Sequence, residues 1–145
     1  MHRDTALQST QELPELHFAG GLPGFPEVRR FVLVRIGDEA SPFSVLRSLD
    51  DSPEHPGGIE FVVTHPSLFF PDYEPEIDDD TANRLELKSA DDALLLVIVT
   101  VADPVAASTA NLMGPIVVNR HTRAAAQAVL GNSGYATREG LIASA

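Results

Sequence analysis

The sequence predicts a mainly β domain, and three observations carry that prediction. The run Leu94 to Val101 (LLLVIVTV) is almost unbroken apolar side chain, rich in the Val and Ile that pack best on a pleated surface. Further short apolar runs, FVLVRI, PFSVLRSL, IEFVVT and PIVV, recur between clusters of Gly, Pro, Asp and Asn. The chain has 145 residues and no cysteine. One core must therefore bury roughly 68–70% of the surface its unfolded chain exposes, without a disulfide to help.

Taken in order, residues 1–12 are polar and aperiodic and are expected to form a flexible tail, with the folded domain over 13–141 and a short tail at 142–145. The opening MHRDTALQSTQE lacks the apolar centre of a signal peptide, so a cytoplasmic location is expected. Leu13 to Phe18 is a first strand. GGLPGFPE follows as a shaped turn, because its glycines reach backbone angles closed to other residues and Pro23 fixes one angle. Leu22 and Phe25 can plug that turn into the core. It is not a phosphate loop, since the GxxxxGK[ST] pattern is missing.

Phe31 to Ile36, Pro42 to Leu49 and Ile59 to Thr64 are the next strands, the last two separated by a breaker-rich loop over Asp50 to Gly58. Arg47, among apolar neighbours, is either an ion-pair partner or a snorkelling side chain. His65 to Tyr73 is irregular and carries Phe69, Phe70 and Tyr73 as anchors. One short helix is predicted near 78–86 (DDDTANRLE), where first-turn carboxylates complement the helix dipole. The apolar run Ala93 to Ala102 is ten residues long against the roughly 20 a membrane helix needs, so it is a core strand that must be covered on both faces. Pro115 to Val118 is its partner, entered through Pro because Pro has no N–H to give a ladder. Asn119 opens a turn. The run Arg123 to Leu130 (RAAAQAVL) reads as helix on propensity alone.

The net charge of −11, with only ten Lys and Arg scattered along the chain, argues against nucleic-acid binding. The acidity is uneven. Between Asp72 and Asp92 nine carboxylates face only Arg84 and Lys88, so this window supplies −7 of the total. It reads either as a solubilising surface or as an acidic face that steers a basic protein partner.

Signals for chemistry are weak. His2, His17, His55, His65 and His121 show no HxxxH or HExxH spacing, and Asp78-Asp79-Asp80 lacks the DxDxDG pattern of a calcium loop and fits a helix start better. Ser48, Asp50 and His65 contain the residue types of a hydrolase triad without a GxSxG elbow. No enzyme activity, metal or cofactor is expected.

Several segments in register carry a resemblance: GLPGFPE, PFSVLRSLDD, FVVTHPSLFFPDYEPEI, LLLVIVTV, TANLMGPIVVN and, near the end, HTRAAAQAVL with GYATREGL. Together they resemble the flagellar assembly factor FliW family from Leu13 to about Leu141. Departures occur at Phe18-Ala19-Gly20, where relatives have Phe and Pro, at Arg47 in place of Gln, and at Gly114 in place of Ala. The resemblance implies a small, mostly antiparallel β-barrel-like domain, and with it a strand at Gln127 to Leu130, against the local helix preference, returned along Pro115 to Val118 by a hairpin at Asn119 to Arg123.

For function the resemblance implies a partner-binding protein that antagonises the translational regulator CsrA, a small RNA-binding dimer, and also binds flagellin. Membrane contact is not expected. On this reading Glu74, Glu76, Asp78, Asp79 and Asp80 are candidates for the regulator-facing surface. Leu22, Phe25, Phe70 and Tyr73 are candidates for an apolar groove, or else simply core. The alternative is a small-ligand-binding β-barrel without catalysis, its aromatics lining a cavity.

Overall fold

Coverage on both faces, which the Leu94–Val101 run demands, is achieved by closing the sheet into a barrel and wrapping the chain around its outside. The computed structural model describes residues 15–22, 25, 27–35, 42–50, 58–131 and 134–141. The tails expected at 1–12 and 142–145, Pro23 and Gly24 of the turn, and residues 51–57 of the breaker-rich loop lie outside them. The strands are β1 (Glu15–Phe18), β2 (Arg30–Arg35), β3 (Phe43–Ser48), β4 (Glu60–Thr64), β5 (Ala93–Thr100), β6 (Thr109–Ala110), β7 (Ile116–Asn119), β8 (Ala124–Gln127) and β9 (Glu139–Gly140). The one α-helix among the described residues, α1, spans Asp79–Arg84.

Strand order is β4-β3-β2-β1-β8-β7-β5, and β5 pairs back onto β4 to close the barrel. Every pairing is antiparallel except β1 with β8, where His17 lies beside Ala124 and Phe18 beside Ala125. β6 continues the β7 edge of β5, opposite Val99 and Thr100, and β9 pairs with β6. Closure removes most of the exposed edges that an open sheet would leave.

Alternation along the strands sorts side chains to inside and outside. Leu16, Phe18, Phe31, Leu46, Val63, Leu96, Ile116 and Val118 fill the interior together with Leu22 and Val28. The Phe18 and Phe31 rings meet edge to face at 5.2 Å. Each such buried side chain contributes about 1.5–3 kcal/mol through apolar burial. On the outside Val97 and Val99 pack with Ala110, Leu112, Phe69, Phe70 and Tyr73, and Leu95 and Val117 pack with Leu85, Leu87 and Ile77. The segment from Pro66 to Asp92 is thus a strap over the outer face of β5 and β7.

The helix predicted near 78–86 is present, and the helix read for Arg123 to Leu130 is not. Residues Ala124–Gln127 form β8, antiparallel to β7 with Ile116 opposite Gln127 and Val118 opposite Ala125. The hairpin at Asn119 to Arg123 places this run beside both β7 and β1, and two ladders of hydrogen bonds outweigh alanine's modest helix preference. The strand expected at Gln127 to Leu130 is shifted toward the N-terminus, although Ala128 N–H still donates to the Pro115 carbonyl and Leu130 N–H to that of Met113. The LPGF turn is tight, with Leu22 and Phe25 exchanging backbone hydrogen bonds of 3.3 and 2.7 Å, and Gly21 takes a φ of 70° that favours glycine.

Three polar side chains lock the connections. Asn119, only 2% exposed, donates to the Leu85 carbonyl at 2.7 Å and accepts from the N–H groups of His121 and Thr122, tying the end of α1 to the β7–β8 hairpin. Asp92 accepts from the N–H groups of Lys88 and Ser89 and meets His121 Nε2 at 3.1 Å. Asp50 accepts from the N–H groups of Arg29 and Arg30 and from the Arg30 guanidinium. These donors hold both carboxyl groups below their ordinary pKa of 3.8, the Arg29 N–H leading for Asp50 and the Lys88 N–H for Asp92.

Replacing Asn119 by Ala strands the buried Leu85 carbonyl, and unfolding in urea is expected to show a loss of about 1–3 kcal/mol. Because Asp50 and Asp92 titrate below 3.8 in the folded chain, their contribution is complete above that pH and disappears as the pH falls through their lowered values. Acid unfolding followed by circular dichroism is expected to be less steep in the Asp50→Asn, Asp92→Asn double variant, which is also less stable at pH 7.

Candidate partner-binding surface

The strap presents its charges by alternation. Tyr73 anchors the start: its hydroxyl donates to the Leu112 carbonyl at 2.6 Å, and its ring meets Tyr135 edge to face at 4.7 Å. Burial raises the Tyr73 pKa well above its usual value, so the phenol stays a donor. Beyond it the chain is extended, with Pro75 and Ile77 turned inward and Glu74, Glu76 and Asp78 outward. Ile77 packs among Leu85, Leu87 and Leu95 and so fixes the register of the three acids.

Asp78 then caps α1. Its carboxylate accepts from the Thr81 hydroxyl at 2.6 Å and the Thr81 N–H at 3.3 Å, and the hydroxyl contact is the leading reason its pKa is lowered. Asp79 and Asp80 occupy the first turn, where negative charge is favoured, and Asp80 pairs with Arg84 one turn on at 3.3 Å. All five acids proposed from the sequence are exposed, on one continuous stretch of strap and helix. The aspartate run is accordingly a helix start.

The four apolar candidates are not brought together. Leu22, 3% exposed, belongs to the barrel interior, and Phe25 packs at the rim of that interior against Phe61 at 5.9 Å. Phe70 and Tyr73 lie on the opposite face of the sheet, half-buried, and with Pro71, Leu112 and Tyr135 they line an open cleft of about 380 Å³. A single groove lined by all four residues is therefore excluded by the two-layer packing.

Residues outside the sequence-derived set join the acidic surface. A groove of about 480 Å³ runs between the strap and the end of β8, with Glu76, Asp78, Asp80 and Arg84 on one wall and Gln127 and Val129 on the other. A second of about 400 Å³ continues past Arg84 and Gln127, between the Ala19–Leu22 turn and Ala124–Ala126. The resemblance implied a strand at Gln127 to Leu130 but gave no sign of what lies across from it, so this wall had no signal in the sequence. Gln127 Nε2 donates to the Gly114 carbonyl at 2.9 Å, and a methyl group on Gly114 would come within 2.7 Å of that nitrogen. The glycine departure thus makes room for Gln127. Arg47, the other departure, pairs with Glu60 across the sheet on the exposed outer face, where such a pair is worth little.

The residues named as a possible triad serve the scaffold. Ser48 Oγ accepts from the Ile59 N–H, and Asp50 is held by Arg29 and Arg30. His65 has its pKa lowered by partial burial first and then by Arg120 and Arg35. Among the described residues no group of three or more His, Asp or Glu is placed to hold a metal ion, and no helix is long and apolar enough to cross a membrane.

Comparison with known proteins agrees with this architecture. The family described as FliW protein matches residues 3–141. The flagellar assembly factor FliW of Anoxybacillus flavithermus is 38% identical over 144 residues, covering 97% of this chain and 94% of that protein. That of Bacillus subtilis is 38% identical over 121 residues, covering 83% and 80%. A crystal structure of the flagellar assembly factor FliW superposes with a TM-score of 0.79 at 38% identity, over 90% of this chain and 86% of that one. A closed β-barrel with one short α-helix among its described residues, matched in sequence and in structure over nearly its whole length, makes this chain a member of the FliW family of flagellar assembly factors.

Proposed function

We propose that this chain antagonises a CsrA-type translational regulator by binding it, binds flagellin as a competing partner, and so couples flagellin synthesis to flagellum assembly in the cytoplasm. Membership of the FliW family supports the flagellar role. The observation that carries the partner choice is the exposed acidic stretch Glu74 to Asp80 on a chain of net charge −11. Such a surface attracts a basic RNA-binding protein and repels the phosphates of the RNA, so one sign of charge serves both ends. The chain acts by occupying other proteins, without catalysis. A ligand-holding barrel has less support, because Phe18, Phe31, Leu46, Leu96 and Ile116 fill the interior.

Titrating the regulator dimer with this protein and then adding flagellin tests the proposal: a complex that flagellin dissolves is expected, and failure to bind either protein overturns it. Exchanging Asp78, Asp79 and Asp80 for Asn keeps a helix-capping residue at 78 while removing charge. Stopped-flow association with the regulator is expected to slow by roughly tenfold at low ionic strength and to depend less on salt.

A further inference from the structure

The strap side of β8 ends in an open sheet edge. In the β7–β8 ladder Ala128 and Leu130 donate inward, to Pro115 and Met113. Backbone alternation then turns the N–H and C=O groups of Gln127 and Val129 away from β7, toward the edge occupied lower down by β1. β1 leaves that edge at Phe18, beside Ala125, and turns at Ala19 and Gly20. Among the described residues no strand continues alongside Gln127 to Val129. The side chain at the far end of this edge, Val129, is apolar and β-branched yet 70% exposed, the most exposed large hydrophobic residue described.

Proteins commonly protect such edges with charge or proline, and here neither lies on the strand itself. The charges stand across the groove: Glu76, Asp78 and Asp80 face Gln127 and Val129 over a width that leaves about 480 Å³ open, with Arg84 already engaged by Asp80. This arrangement selects its occupant. A second copy of the chain would bring a further −11 and the same carboxylates to the groove. An extended segment bearing Lys or Arg satisfies both walls, its backbone pairing with the edge and its cations meeting the acids.

We propose that the edge Gln127–Val129, together with Glu76 and Asp80 across the groove, is a β-augmentation site for an extended basic segment of a protein partner. This rests on the preceding reading in that the regulator is taken as the source of the segment. The partner strand would follow the line that β1 abandons at Phe18, gaining affinity from main-chain hydrogen bonds and register from a side chain packed on Val129.

Val129→Pro tests the edge selectively, since it removes the outward N–H and the exposed valine side chain while leaving the donors of Ala128 and Leu130 in the β7 ladder. With folding verified by circular dichroism, its affinity for the regulator dimer is expected to fall at least about tenfold. Glu76→Gln with Asp80→Asn is expected to flatten the salt dependence of the same binding. Amide hydrogen exchange on the unmodified chain gives a readout that needs no variant: the Gln127 and Val129 amides should become protected when the regulator is added. Regulator binding that is unchanged in Val129→Pro, or that leaves those two amides exchanging as before, overturns the site while leaving the proposed function intact. A wild-type chain that does not bind the regulator overturns both.

Discussion

The structure depends on β5 being apolar on both faces. A strand reading Leu-Leu-Leu-Val-Ile-Val cannot lie with one side in water, so the inward residues Leu94, Leu96 and Ile98 require a closed interior and the outward Leu95, Val97 and Val99 require a cover. The barrel supplies the first and the strap the second. Because the outer cover is itself a chain segment with an outside, its polar residues are displayed in fixed register. The exposure of Glu74, Glu76 and Asp78 is thus the other side of the burial of Ile77 and Leu85.

Asn119 and the tyrosine pair explain how a strap with only one short helix stays in place. A six-residue helix has little stability of its own, since nucleation is costly and propagation brief. It is held by tertiary anchors at both ends of its segment: Tyr73 on the Leu112 carbonyl before it, and Asn119 on the Leu85 carbonyl after it. These buried polar contacts are specific in a way that the apolar packing is not, because only one register satisfies them. The acids on its outer side are therefore held in one register.

β8 shows how far packing can override composition. Its alanines sit on both faces: Ala125 is buried inside the barrel, while Ala124 and Ala126 are partly buried on the outer face, beside Arg84 and Leu85 in the second groove. The same residues that suggest a helix by propensity form a strand here because β7 and β1 pair with them on either edge. Gly114 belongs to this accommodation, because its missing methyl leaves room for the Gln127 amide at the start of the open edge.

By itself the sequence determined what local chemistry dictates. The runs at Phe31, Phe43, Glu60 and Ala93 are strands because β-branched and aromatic side chains alternate between breakers, and α1 begins at Asp78 because a carboxylate can cap it. The in-register motifs and the charge window between Asp72 and Asp92 pointed to the family and to the acidic face. Only the tertiary structure decided the extent of β8, which covers Ala124–Gln127 where the resemblance implied Gln127 to Leu130, the separation of Leu22 and Phe25 from Phe70 and Tyr73 into two layers, and the groove between strap and β8. Those outcomes depend on which strands become neighbours when the barrel closes, and a parallel pairing between residues near 17 and 124 has no trace in either segment alone.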